Sequence, residues 1–354
     1  MKMKAFLDSD IAEVAQDLGG AANDFAGKTV LLTGARGFLG RYFTEVFAYL
    51  NQHILAAPCN LVGLDNMVTA GTAGADLPSH PHMRFAVQDV VKPIIWDGPL
   101  DYVIHAAGIA SPYYYRAFPL ETLEVAVTGT RNMLELSTKH NARFTFFSSS
   151  EIYGDPEARH VPTQESYRGN ISCRGPRACY DESKRVGETL CHIFHDKFGT
   201  ATTTIRPFNV FGPGMQENDY RVLPNFASRL KGSMPLHLYG SGVQTRTFCY
   251  ITDALTGFLL TILRGVPGEA YNIGNPVPEV SMMDLVKVME KVLDKPIPYD
   301  VIEYPDSYPA DEPMRRCPDI RKAQLQLKYQ PKVSLEEGLR RFFVWTDQHY
   351  IGKN

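Results

Sequence analysis

Thr29-Val30-Leu31-Leu32-Thr33-Gly34-Ala35-Arg36-Gly37-Phe38-Leu39-Gly40-Arg41-Tyr42-Phe43 is the stretch that decides the fold. Thr29 to Leu32 reads as a short buried strand, Gly34, Gly37 and Gly40 as a turn, and Arg41 as the opening of a helix. Strand, Gly-x-x-Gly-x-x-Gly turn and helix form a cradle for the pyrophosphate of a dinucleotide. The glycines, with Arg36, Phe38 and Leu39 between them, let backbone approach the phosphates, and the helix N-terminus offers them N–H groups with no intrahelical partner. A second strand, Asn60 to Leu64, ends at Asp65, followed by Asn66, about the expected distance on. A carboxylate there accepts both hydroxyls of an adenosine ribose and repels a 2'-phosphate, so NAD is expected over NADP. Arg36 is the counter-signal, because its guanidinium could reach such a phosphate.

Working outward, Arg84–Val87 is a third strand, with Asp89 and Val90 after it placed to contact adenine. Asp101 to Gly108 is a fourth, and its small residues Ala106 and Ala107 let a dinucleotide lie against the strand end. Glu121 to His140 has helical periodicity, Arg143 to Ser148 is a fifth strand, and Ala201 to Ile205 another. Strands alternating with helices at this spacing predict an α/β fold, a doubly wound parallel sheet of Rossmann-like type with a smaller C-terminal substrate-binding lobe. Right-handed crossovers then put the strand C-termini on one rim with the glycine turn. The expected division is an N-terminal helical extension (1–26), a dinucleotide-binding domain (27–205 plus 248–272) and a substrate lobe (206–247 plus 273–345). The extension carries apolar residues at helical spacing (Phe6, Leu7, Ile11, Val14, Ala15, Leu18) and stops at Gly19-Gly20. Residues 66–82, rich in Gly, Thr, Ala, Pro and His, read as a surface loop.

Composition narrows the function classes. A chain of 354 residues with 44% hydrophobic and 21% charged residues suits a soluble globular protein with a sizeable core. A net charge of -3 supplies no basic field for nucleic acid and no polybasic membrane patch. The six cysteines form neither Cys-x-x-Cys pairs nor zinc spacings, so reduced thiols, no metal and a cytoplasmic location are expected.

The chemistry concentrates between Phe146 and Lys184. An apolar run breaks into Ser148-Ser149-Ser150-Glu151, and some thirty residues later Tyr180 precedes Lys184 by four positions. On a helix that spacing puts phenol and ammonium on one face, where the cation favours phenolate. With a Ser hydroxyl at the strand end, the set can take a proton from a sugar alcohol while a hydride leaves.

Several runs go beyond cofactor binding: Ser149 to Glu157, Gly175 to Glu182, Tyr239 to Arg246, Ala110-Ser111-Pro112, Asn272 to Pro276, Cys317 to Ile320 and Ser334 to Leu339. On these the chain resembles the extended short-chain dehydrogenase/reductase family of NAD-dependent nucleotide-sugar epimerases and dehydratases, from about Lys28 to Phe343. Within it the runs are most similar to the UDP-glucuronate decarboxylase branch. The resemblance implies tightly bound NAD, recycled in each turnover, and Tyr180 as the base at the sugar C4 hydroxyl. It implies that Lys184 lowers the Tyr180 pKa and holds the nicotinamide ribose, and that Ser149 fills the hydroxyl position. Asn209 would meet the diphosphate and the segment Val222 to Phe226, with Asn225, the base; Ser150 and Tyr239 complete the substrate set. Arg246 and Arg316 would face phosphates or a sugar acid. The family's dimer implies pairing of the helices around 121–138 and 180–197, whose apolar faces could instead be buried within one chain.

Ser150 and Glu151 separate the branches. A 4,6-dehydratase supplies an Asp-Glu pair to expel the C6 hydroxyl, and Ser150 stands where that Asp would be. A 4-epimerase needs no carboxylate there, yet Glu151 is present. With a carboxylate at C6, a 4-ketone makes a β-keto acid that loses carbon dioxide given an electron sink. Glu151 could then orient a water or protonate C5, or merely cap the next segment, and Arg246 could pair the departing carboxylate or only the diphosphate. The remaining readings are a 4-epimerase, a dehydratase-like enzyme, and a non-catalytic NAD-sensing protein, the last of which predicts erosion of Ser149, Tyr180 or Lys184. Departures from the decarboxylase pattern lie at Arg168, at Asn170 to Arg174 and at Ala126.

Overall fold

The computed structural model describes residues 6–70, 78, 80–304 and 313–353; the remainder of the expected loop at 66–82 lies outside the described residues. Seven strands form one parallel sheet: Thr29–Thr33, Asn60–Asp65, Met83–Val87, Tyr102–His105, Arg143–Phe147, Thr202–Pro207 and Ala270–Ile273. From one edge their order is third, second, first, fourth, fifth, sixth, seventh in chain sequence. The order reverses between Thr29–Thr33 and Tyr102–His105, which opens a crevice at the carboxyl ends of those two strands, the position where doubly wound sheets bind ligands.

The central strands are apolar on both faces because helices cover both. Val30 and Leu32 face one core with Phe43, Phe47, Phe258 and Leu259, from helices Phe38–His53 and Ile251–Arg264. Leu31 faces the other with Met133, Leu134 and Phe194, from helices Thr130–His140 and Ala178–Phe198. The glycine turn closes sooner than expected. Gly37 is extended and acts as N-cap, so the helix begins at Phe38 and not at Arg41. The periodic segment 121–140 is likewise not one regular helix: Pro119–Glu124 runs into a π-helical turn, Val125–Gly129, before Thr130–His140.

The N-terminal helix Asp8–Leu18 is built into the main core, packed on helices Phe38–His53 and Ile251–Arg264. Its buried Asp10 accepts hydrogen bonds from the Tyr250 hydroxyl (2.6 Å) and Arg341 Nη1 (3.1 Å). Burial pushes the Asp10 carboxyl up to about 6, against the pull of those two partners.

Beyond the sixth strand the strands shorten to two to four residues among the described residues. Leu236–Tyr239 pairs with Tyr299–Ile302, and Thr245–Arg246 sits between Val280–Ser281 and Arg315–Arg316. In the last pairing Arg246 and Arg316 are direct partners. Two-residue strands thus deliver both arginines to one place.

Candidate active site

The glycine turn sits at the crevice. Gly34 has φ +73°, and a Cβ there would lie 2.8 Å from the Ala106 carbonyl oxygen and from the Ala107 nitrogen, so only glycine allows first and fourth strands to meet this closely. Gly37 gives the helix no side-chain cap, which leaves the first-turn N–H groups open to a phosphate. Asp65 ends the second strand with its carboxylate fixed by two backbone N–H groups, from Arg36 and Met67, each at 2.8 Å. Asn66 donates to Asp89 (3.3 Å), and Asp89 accepts from the Val91 amide. Val90 packs against Gly129 of the π turn, where a Cβ would come within 2.7 Å of Val90 Cγ2. This arrangement fits a dinucleotide laid across the crevice with its ribose at Asp65.

Under the crevice lies a residue the motif reading passed over. His105 is fully buried between Thr33 Oγ1 (2.8 Å from Nδ1) and Thr130 Oγ1 (3.1 Å from Nε2). Burial, with the nearby Lys184 charge second, drives its pKa down to about 3, so the imidazole is neutral and ties the fourth strand to its neighbours.

Ser149, two residues past the end of the fifth strand, is the N-cap of a 3-10 turn over Ser150–Tyr153, its hydroxyl accepting from the Glu151 amide at 3.2 Å. Tyr180 enters from the first turn of helix Ala178–Phe198. It is buried and stacked on Tyr115, with ring centroids 5.2 Å apart and planes 13° apart. Its phenol differs from expectation in direction: burial pushes the pKa up and Asp181 adds to that, while the opposing pull comes from Ser149, Arg221 and Arg177. The Lys184 ammonium donates to the Phe147 carbonyl at 2.9 Å and lies 5.6 Å from the Tyr180 ring centroid. Burial lowers the Lys184 pKa to about 8, which leaves it charged at neutral pH. Gly108 leaves room for that ammonium, since a Cβ there would be 3.0 Å from Nζ.

Tyr180 opens into a cavity of about 620 Å³, a size suited to a ligand of some tens of atoms. Glu151, Asn209, Val222, Asn225, Tyr239, Arg246 and Arg316 all line it, together with Arg177, Arg221, Tyr113, Tyr115 and Tyr220. Ser150 is buried. Asn209, held at φ +41°, donates from Nδ2 to the Thr247 carbonyl at 2.8 Å. Arg246 donates to the carbonyls of Thr245 (2.8 Å) and Met314 (3.4 Å).

The densest charge cluster is at Glu151. Arg316 grips its carboxylate with both terminal nitrogens, Nη1 to Oε1 and Nη2 to Oε2, each at 2.6 Å. Arg177 donates to Oε2 as well, and its Nε lies 3.6 Å from Asp181. Arg177 belongs to the run Gly175 to Glu182, yet the sequence assigns it no task; its place three residues before Tyr180 and four before Asp181 is the available signal. Arg316, expected at a phosphate or a sugar acid, is here on a protein carboxylate.

The model of the NAD dependent epimerase/dehydratase family matches residues 30–274, which spans the glycine turn, Ser149, Tyr180 and Lys184. The chain belongs to that family. Among family relatives, UDP-glucuronic acid decarboxylase 1 of Arabidopsis thaliana is 37% identical over 313 residues, covering 88% of this chain and 68% of the relative. UDP-glucuronic acid decarboxylase 1 of Xenopus tropicalis is 36% identical over 327 residues, 92% of this chain and 72% of the relative. Of solved structures, a point mutant of UDP-glucuronic acid 4-epimerase from Bacillus cereus, solved with NAD, superposes with TM-score 0.75 at 25% identity, covering 91% and 100% of the two chains. UDP-glucose 4-epimerase from Thermotoga maritima gives TM-score 0.76 at 23% identity over 90% and 99%, a likeness of fold. The chain carries a parallel seven-stranded sheet with helices on both faces, and no described helix is long and apolar enough to cross a membrane.

Proposed function

We propose that the protein is a lyase that decarboxylates UDP-glucuronic acid to UDP-xylose through a 4-keto intermediate, with NAD as its recycled cofactor. The observation that carries this reading is the Glu151 carboxylate held by Arg177 and Arg316 in the wall of the cavity that Tyr180 faces. Two arginines in the cavity wall that already hold a carboxylate suit a substrate that brings a carboxylate of its own. A dehydratase would need a second acid at the position of Ser150, which is a buried hydroxyl.

Tyr180 and Ser149 share the C4 hydroxyl of the sugar, and Tyr180 takes its proton. It acts as the phenolate, which the charges of Arg221 and Arg177 favour against burial, and it ends the step as the neutral phenol. Gly34 to Gly40 and Asp65 would hold NAD, which would supply a reversible hydride acceptor at C4. The C4 ketone is β to the C6 carboxylate, so the C5–C6 bond breaks with its electron pair passing into an enolate at C4, stabilised by the Ser149 and Tyr180 donors. A proton delivered on the Glu151 side then completes C5. The Asp65 carboxylate, held by backbone N–H groups, favours NAD over NADP by its charge. Hydride return is tested with substrate deuterated at C4: the pentose product should keep the label. Loss of deuterium to water would overturn the recycled-cofactor step.

A homodimer is proposed through the helical segment 119–140 and helix Ala178–Phe198, on which Leu120, Val127, Ile193 and Phe198 stand exposed. The free cysteines suit a reducing cytoplasm. A mass near one chain of 39.6 kDa by light scattering would contradict the dimer.

A further inference from the structure

Arg177 and Arg316 each expose only 9% of their side chains, and Glu151 17% of its own. Two cations this deeply placed are costly without an anion between them. Glu151 supplies it, with a two-point grip from Arg316 and a further hydrogen bond from Arg177. Asp181 balances Arg177 from the other side. The cluster of two arginines and two carboxylates is therefore formally neutral within itself.

A uronic acid sugar brings a carboxylate of the same shape and charge into this cavity. Added to the four-residue cluster it makes three anions for Arg177 and Arg316, with Arg221 and Arg246 elsewhere in the cavity wall, and two carboxylates beside each other repel. Both terminal nitrogens of Arg316 are already committed to Glu151, and that bidentate geometry is the one a sugar carboxylate would seek. We propose that Glu151 is a built-in stand-in for the substrate carboxylate: the uronate displaces it from the Arg177–Arg316 clamp, and Glu151 returns once carbon dioxide has left. The inference rests on the decarboxylase reading and deepens it.

The exchange has two consequences. Displaced from the arginines, Glu151 has its carboxylate oxygens free on the cavity side, where it can pass a proton from water to C5. The decarboxylated product has no carboxylate with which to hold the clamp, so Glu151 competes it out. Uronate and neutral sugar thus differ in what they must displace, and Glu151 sets that difference.

The test uses NAD-loaded protein in a Tyr180→Phe background, which stops turnover, and measures binding of UDP-glucuronate and UDP-glucose by calorimetry with and without Glu151→Gln. The neutral amide grips the arginines less well, so UDP-glucuronate should tighten by at least about tenfold relative to UDP-glucose. Glu151→Asp, which keeps the charge but shortens its reach by one methylene, should fall between the two. An equal change for both ligands, or a weakened uronate, overturns the exchange. If wild-type protein decarboxylates UDP-glucuronate and the relative tightening is still absent, the exchange alone falls. If UDP-glucuronate binds neither variant and wild type does not consume it, the functional reading falls with it.

Discussion

His105 offers a quantitative test in the scaffold of the cofactor crevice. The imidazole is buried between Thr33 and Thr130, and burial holds its pKa at about 3 against an ordinary 6.5. The folded protein therefore excludes a proton that the unfolded chain takes up once the pH falls below about 6.5. For a depressed pKa of this kind the stability is fully present above the unfolded value and drains as pH falls. At pH 5.5 the loss from this one group is on the order of 1 kcal/mol, and at pH 7.0 it is close to nil. Wild type should lose roughly 1 kcal/mol between those pH values that a His105→Asn variant does not lose. Urea unfolding followed by tryptophan fluorescence at both pH values measures this as a difference of differences. Asp10 and Asp253, each pushed up to about 6 by burial, act in the opposite sense in both proteins and cancel in that comparison. Equal pH dependence in wild type and variant would refute a neutral, proton-excluding His105.

Tyr180→Phe removes the base while keeping the ring stacked on Tyr115; turnover should fall by about 10³-fold or more with NAD affinity retained, checked by steady-state assay and cofactor titration. Gly34→Ala places a methyl 2.8 Å from the Ala106 carbonyl at a backbone φ of +73°, so the variant should lose NAD binding and about 2 kcal/mol or more of stability, read by cofactor titration and thermal unfolding. Asp65→Ser removes the charge at the ribose and should narrow the preference for NAD over NADP by about tenfold, measured as a ratio of dissociation constants.

The parts of the fold legible in the sequence are those carried by long local patterns. The glycine turn, Asp65 and the strand runs from Thr29 onward each declare themselves within a few residues. The helix start does not, because Gly37 caps the helix with its backbone and Gly40 already lies inside it, pressed against the Gly34 carbonyl. The π turn at Val125–Gly129 leaves the apolar spacing on either side intact, so periodicity reads through it. Asp10 sits on the buried face of an otherwise amphipathic helix, and only the fold reveals Tyr250 and Arg341 waiting for it.

At the candidate site, Tyr180, Lys184 and Ser149 follow from spacing and resemblance, but their electrostatics do not. Helical spacing suggests a cation lowering the phenol, whereas burial dominates and the Lys184 ammonium is turned to a backbone carbonyl. The clamp on Glu151 is illegible for another reason. Arg177 comes from the edge of a helix and Arg316 from a two-residue strand opposite Arg246, and strands that short carry no period to read.

The central claim is loss of the sugar's C6 as carbon dioxide. UDP-glucuronic acid labelled with carbon-13 at C6, incubated with the purified protein and NAD, tests it most directly by nuclear magnetic resonance. The label should appear as bicarbonate while an unlabelled UDP-pentose accumulates in equal amount. Label remaining in a UDP-hexuronic acid, whether unchanged or epimerised at C4 to UDP-galacturonic acid, would contradict it.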